Sequence, residues 1–264
     1  MKKITVFTSN QPRHISLINE LSKVANEVFA IIEANTVHPG EIQDFYKKSI
    51  PMQNYFSNVI KSERKYFGDI DFLPKNVRPL ILRAGDLSLL DFSELEKSLD
   101  SDLFLVFGAS YIKGGLIDFL IEKKAINIHM GVSPYYRGSS CNFWALKNKD
   151  YQFVGSTIHM LGRGLDSGDM LFHALPSFEP NPFDYTMKAV KAAHVGIIES
   201  IKNNNLFTLG KVSQNRDLEI SYTKNSHFDD KVVLEFQDEK INLIEFQEKI
   251  ETRNLNDFLN PFIF

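Results

Sequence analysis

Asn127 and His129 stand two positions apart at the end of a β-prone run, AINIHM (125–130), and Asp166 follows in a loop punctuated by Gly162, Gly164 and Gly168. Alternate residues of a strand project to one side, so the amide and the imidazole are expected to share a face. An amide, an imidazole and a carboxylate gathered at one sheet edge supply a hydrogen-bond donor, a proton carrier and a group that orients the carrier. Such a set needs no covalent nucleophile, and Cys141 is read as a packed small residue. A strand-end histidine with no context is usually a satisfied surface or core residue, so His129 gains meaning only from its neighbours. His159 and His173, with Asp166 and Asp169, could suggest a metal site; no tight ligand spacing supports one, and no metal is expected. The glycines of GRGLDSG follow a G-x-G-x-x-x-G spacing and precede a strand, unlike a dinucleotide loop, so NAD binding is rejected.

These residues need elements to hold them. Apolar runs at KITVFT (3–8), VFAII (28–32), PLILRA (79–84), DLFLVFGA (102–109), AINIHM, VGSTIHML (154–161) and DMLFHALP (169–176) read as strands. Helical spacing appears at 15–25, 52–67, 91–100, 113–121, 143–150 and 183–203. The alternation predicts a doubly wound, mostly parallel α/β sheet, whose ligands gather beyond the carboxyl ends of the strands. The stretch 35–76, with Pro39, Pro51 and Pro74, reads as a helical excursion over one sheet edge. Beyond Gly210 the pieces LEISYT, KVVLEFQ and INLIEF read as short strands, which divides the chain into a main domain at 1–208 and a small β-rich C-terminal element at 209–264.

The segments NIH, PYYRG, NFWA, GSTIH and GLDSGD together resemble the catalytic core of the folate-dependent formyltransferases, a family that includes enzymes acting on glycinamide ribonucleotide, methionyl-tRNA and amino sugars. The resemblance covers roughly residues 1–205 and is sharpest at 125–171. It implies the formyltransferase fold, N10-formyltetrahydrofolate as formyl donor, and Asn127, His129 and Asp166 as the catalytic trio. The chemistry suits the trio: amine attack on a formamide-like carbonyl builds an oxyanion, which one amide donor stabilises by about 2.7–4 kcal/mol. Imidazole moves protons near neutral pH, and a carboxylate keeps it basic and oriented. The resemblance further implies that FGASYIKGG, with Phe107, Gly108, Ala109, Tyr111 and Ile112, cradles the pteridine ring. The loop LGRGLD, with Gly162, Gly164 and Leu165, closes the other side of that pocket. Ser9, Asn10, Arg13 and His14 follow the first strand, where a helix N-terminus makes an anion site for the substrate, and Tyr136 and Arg137 complete the substrate-binding candidates. The glycines could equally serve a tight turn, and Ser9 and Asn10 could be ordinary helix caps.

The 264 residues carry 43% hydrophobic residues with 22 Phe and 9 Tyr, enough for a sizeable core. The formal net charge of −3, from 30 Lys and Arg against 33 acids, argues against general nucleic-acid binding. A single cysteine excludes an intrachain disulfide, no stretch approaches a membrane span, and the N-terminal apolar run is too short for a signal peptide, so a cytoplasmic enzyme is expected. Gly131-Val132-Ser133-Pro134 departs from the family's S-L-L-P. The acceptor expected by elimination is a nucleotide-linked amino sugar. Methionyl-tRNA with a minimal RNA-binding tail, or a non-catalytic small-molecule or nucleotide-binding domain, are the alternatives. A tail hairpin of LEISYT and KVVLEFQ, with Ile220, Tyr222, Val233 and Leu234 on its apolar face, would need covering by the main domain or by a second subunit, and a homodimer is expected.

Overall fold

A computed structural model describes residues 3–264; Met1 and Lys2, where the basic N-terminal start lies, are outside the described residues. The chain alternates strand and helix through its first half: β1 (Lys3–Ser9), α1 (Pro12–Ser22), β2 (Glu27–Ala34), α2 (Ile50–Phe67), β3 (Val77–Arg83), α3 (Glu96–Leu99), β4 (Leu103–Phe107), α4 (Gly114–Glu122) and β5 (Ile126–His129). It continues with β6 (Tyr136–Gly138), α5 (Cys141–Lys147), β7 (Ser156–Met160), β8 (Met170–Leu175) and α6 (Pro182–Lys202). The tail adds β9 (Ser221–Thr223), α7 (Asp230–Asp238), α8 (Leu243–Glu251) and β10 (Phe262–Ile263). Local chemistry marks several helix starts. Pro12 and Pro182 occupy first turns, and Asn181 accepts hydrogen bonds from the amides of Phe183 and Asp184.

Eight strands form one sheet in the order β10-β8-β7-β5-β4-β1-β2-β3. Strand pairs are parallel except that β7 runs antiparallel to both β5 and β8. The inner strand β4, LFLVF, is buried at every position, as expected where helices cover both faces. On one face Ile4, Val6, Leu103 and Leu105 pack with Leu17 and Leu21 of α1 and Ile197 of α6. On the other, Phe7, Ile31, Phe104 and Val106 pack with Leu116 and Leu120 of α4. This doubly wound sheet matches the expected fold, and it brings the ends of β1, β4 and β5 to one rim. The excursion at 35–76 contains the expected helix. α2 lies across α1 and α6 and reaches α7, on the helical layer rather than along the strand edge.

The tail corrects the sequence reading. KVVLEFQ forms α7 and the end of INLIEF begins α8; only the last three residues of LEISYT form a strand, β9. Asp229 and Asn242 cap the two helices, and the buried pairs Val233/Phe236 and Phe246/Ile250 recur at helical intervals of three and four. Capping and a helical apolar face thus outweigh the β-propensity of Val, Ile and Phe. No hairpin joins LEISYT to KVVLEFQ: β9 pairs with β6, and β10 extends the main sheet beside β8. Phe236, Phe246, Ile250 and Phe258 enter a cluster with Tyr136, Tyr151, Leu175 and Tyr185, so the tail's apolar face is largely covered by its own chain.

Candidate active site

β5 delivers Asn127 and His129 to the rim, as their spacing requires, and the loop between β7 and β8 brings Asp166 to them. Asp166 adopts a left-handed backbone (φ 45°), a conformation that Asp tolerates better than most residues. Its two oxygens divide between partners: Oδ1 accepts from Asn127 Nδ2 at 2.9 Å, and Oδ2 lies 3.2 Å from His129 Nδ1. His159, directly opposite Asn127 in the β5–β7 ladder, joins the cluster. Its Nδ1 lies 2.8 Å from the Met160 carbonyl, to which it can only donate, leaving Nε2 to accept from Asn127 Nδ2 at 3.0 Å. The sequence reading weighed His159 only as a metal ligand; its place opposite Asn127 in the ladder is what brings it to the site. Among the described residues no group of three or more His, Cys, Asp or Glu side chains is arranged to hold a metal ion.

Burial opposes a charge on His129, yet the neighbouring Asp166 carboxylate, aided by Cys141, carries its pKa well above the ordinary 6.5. Burial pushes the Asp166 carboxyl up, but His129, by its charge and its hydrogen bond, outweighs burial and holds the pKa well below the usual carboxylate range. The two shifts act in the same sense, each partner favouring the charged form of the other. Cys141 is buried with its sulfur 3.5 Å from His129 Nε2. His173 sits apart: Nε2 meets the Ser133 carbonyl at 2.8 Å, Nδ1 accepts from the Leu259 amide at 2.9 Å, and burial lowers its pKa to about 4.

A slot of about 120 Å³ opens beside Asn127, His159 and Asp166. Val106, Ile112, Ile117, Leu161 and Leu165 give it apolar walls, and the Tyr111 hydroxyl donates to the Arg163 carbonyl at 2.7 Å, tying its two loops together. Of the residues that the resemblance assigns to the pteridine pocket, Ala109, Tyr111, Ile112, Gly162, Gly164 and Leu165 line this slot. Phe107 and Gly108 do not: Phe107 points into the core because strand residues alternate, and Gly108 (φ 71°) turns the chain where a Cβ would strike the His14 ring. Val106 takes their place. Glu33 pins this loop, accepting from the Ser110 amide at 2.5 Å and hydroxyl at 2.8 Å. Gln214, from the tail, donates to the carbonyls of Asp166 (2.7 Å) and Gly168 (3.0 Å) and so props the opposite loop. Apolar walls with a polar floor fit a flat heteroaromatic ring such as a pteridine.

Two of the larger cavities meet at Arg13. One of about 470 Å³ is lined by Met130, Ser140, Asn142, Phe143, Asn225 and Phe228, among others; a second of about 490 Å³ runs beneath residues 35–64. Arg13, Phe56 and Val59 belong to both, so the two are lobes of one groove. Arg13 is already held by Glu63 at 2.7 Å, a partner no local pattern announced. Of the other substrate candidates, Ser9 donates to the Glu33 carbonyl and Asn10 to the Thr36 carbonyl. His14 is buried against Phe107, and burial, followed by Arg13 and His194, lowers its pKa well below 6.5. Tyr136 is buried and donates to Asp150 at 2.5 Å, while Arg137 pairs with Glu219 at 2.9 Å. The structure therefore brings only Arg13 of these six residues to the groove; the other five hold the scaffold because their polar atoms are engaged or their side chains packed.

The protein-family model described as formyl transferase matches residues 2–195. Methionyl-tRNA formyltransferase of Desulforamulus reducens is 29% identical over 101 residues, 38% of this chain and 32% of that protein. The enzyme of the same name from Borreliella burgdorferi is 35% identical over 123 residues, 45% of this chain and 34% of its own length. The match thus spans about a third of these relatives. A solved sugar N-formyltransferase from a Shewanella species superposes with a TM-score of 0.53 at 14% identity, covering 86% of this chain and 78% of that one, a likeness of fold. With the family match running through β1 to α6 and across Asn127, His129 and Asp166, the chain belongs to the formyl transferase family.

Proposed function

We propose that the chain transfers the formyl group of N10-formyltetrahydrofolate to the primary amine of a nucleotide-linked amino sugar, with Asn127, His129 and Asp166 as catalytic residues. The observation that carries this reading is the hydrogen-bonded trio beside a ring-sized slot, with Met130, next in the chain to His129, lining a two-lobed groove. The folate, bound in the slot by the residues that line it, would supply the activated formyl carbonyl. Asp166, kept ionised, faces the positive charge that grows on the attacking amine and holds His129 protonated at Nδ1. The imidazolium carries a proton that a leaving nitrogen needs, and Asp166 can return one from the amine. Asn127 can turn an N–H toward the developing oxyanion by releasing His159 Nε2, a neutral hydrogen bond worth about 0.5–1.5 kcal/mol, rather than the charged Asp166.

For the acceptor, the groove's two lobes meet at Arg13, which supports an elongated molecule with a reactive sugar at one end, a nucleoside at the other and anionic phosphates between. One contact to Glu63 leaves most of the five guanidinium N–H donors available. The assay is incubation with N10-formyltetrahydrofolate and a panel of UDP- and dTDP-linked 3-amino and 4-amino hexoses, with mass spectrometry of the products. A second reading, formylation of methionyl-tRNA, is favoured by the curated relatives. Formylation of charged tRNA with none of the sugars would put it first.

A further inference from the structure

The family match ends at residue 195, yet the lobe of the groove nearest the trio is closed by residues beyond it. Asn225 and Phe228 belong to the tail, and both line this lobe opposite Met130 and Val190. Phe228 is fixed edgewise by Phe143 at 4.8 Å and Tyr55 at 5.3 Å between ring centroids, with Phe56 further out at 6.3 Å. Asn225–His227 make a single 3-10 turn, and Asp229 then caps α7 by accepting from the Val232 amide at 2.9 Å. The next residue, Asp230, accepts from the Ser49 hydroxyl at 2.6 Å, so the tail is fastened to the start of α2. The wall therefore joins the two segments most loosely prescribed by the core motif, the 35–76 stretch and the tail.

The polar side chains around this lobe differ in what they have left to offer. Arg13 keeps most of its donors beyond Glu63 for the phosphates, while Asn142 accepts from the Gly155 amide at 3.0 Å and Thr186 donates to the Phe183 carbonyl at 2.8 Å. The Asn225 amide, with two donors and an acceptor, makes no hydrogen bond among the described residues. A half-buried aromatic ring beside an exposed amide with no protein partner, in a cavity that also takes in Met130 next to His129, is the equipment for reading a sugar ring. We infer that Phe228 and Asn225 determine acceptor specificity: Phe228 carries the C–H face of a pyranose, and Asn225 hydrogen-bonds a hydroxyl or acylamino group flanking the reactive amine. This inference rests on the nucleotide-sugar reading of the groove. A site that hydrogen-bonds a substrate group discriminates strongly against analogues lacking it, whereas an apolar contact discriminates weakly, so Asn225 sets selectivity and Phe228 mainly affinity.

The test uses the full chain and its Asn225→Ala and Phe228→Leu variants, each checked for an unchanged melting temperature. Steady-state constants are measured on the panel of UDP- and dTDP-linked amino hexoses, with and without a hydroxyl next to the amine, and 5-formyltetrahydrofolate affinity by calorimetry. Both variants are expected to raise the acceptor KM about 10-fold, with folate affinity unchanged. Asn225→Ala is also expected to lose the preference between acceptors with and without the flanking group. Unchanged acceptor KM and unchanged preference in both folded variants would overturn the inference while leaving the nucleotide-sugar reading intact. A wild-type chain that formylates none of the panel sinks that reading and the pyranose assignment together. Activity on a different amine whose KM both variants raise would replace the sugar but retain the two residues as acceptor-selecting.

Discussion

At the scale of single residues, the charge state of the His129–Asp166 pair governs what the site can do. Burial alone would discourage a charged imidazole, and it is the carboxylate that reverses the balance. His129 is therefore expected to titrate well above 6.5 by NMR, and Asp166→Asn to bring the titration down, because burial is then opposed only by Cys141. The sign for stability follows. The raised His129 pKa contributes stability that is fully present below about 6.5 and fades as pH rises through the folded value; the lowered Asp166 pKa contributes stability above about 3.9 that fades on acidification. Turnover is likewise expected to fall as pH rises through the His129 value. His129→Ala or Asp166→Ala should lower kcat by at least ~10²-fold with the fold retained. Near-native turnover in either variant would remove that residue from catalysis. Arg13→Ala should raise the acceptor KM far more than the folate KM, and equal effects on both would contradict its place between the lobes.

At the scale of elements, the Asp166 loop is held from outside the core. Gln214 donates to two of its carbonyls, and Gly168 packs so closely that a Cβ there would collide with the Met160 carbonyl. A displacement of about 1 Å at a catalytic group can cost as much as 10²-fold in rate. Gln214→Ala should accordingly lower kcat by about 10-fold with little change in acceptor KM, and stopped-flow or steady-state kinetics with saturating folate would reveal it. Unaltered kcat would mean the loop keeps its position without the tail. Strand alternation was enough to place Asn127 and His129 on one face, whereas Asp166, 39 positions from Asn127, was joined to them by the resemblance of its Gly-rich motif to the family's. His159, Glu33 and Gln214 were not legible as site residues. Each acts through a partner 32 or more positions away, and no local pattern encodes that partner.

At the scale of the whole molecule, the tail is part of the core. Phe236, Phe246, Ile250 and Phe258 are each buried to within a few per cent, and each such side chain is worth about 1.5–3 kcal/mol. Together they match the total stability of a typical domain, about 5–15 kcal/mol. A chain ending at Gly210 is therefore expected to be insoluble or to melt far below the full chain in a thermal scan, and an unchanged melting temperature would refute that. Ile220, Tyr222 and Leu234 remain exposed on the tail, where a two-fold partner would cover them. Sedimentation velocity is expected to give the dimer mass, and a monomer would remove the dimer expectation.

The sequence by itself determined the alternating sheet, because apolar runs of strand length separated by helical periodicity leave a doubly wound sheet as the natural way to bury both faces. Its motifs also singled out Asn127, His129 and Asp166 as one set, through their resemblance to the formyltransferase core. The tertiary structure alone decided the form of the tail and the identity of the groove's walls. Val233, Phe236, Phe246 and Ile250 lean toward strands by propensity, and what turns them to helix is the surface they meet, the aromatic cluster of Tyr55, Phe143, Tyr151 and Tyr185. The same long-range packing engages Ser9, His14, Tyr136 and Arg137 in the scaffold and brings Asn225 and Phe228 to the groove. Contacts between residues so far apart in the chain are fixed by how the layers stack, and that is set only when the whole core closes.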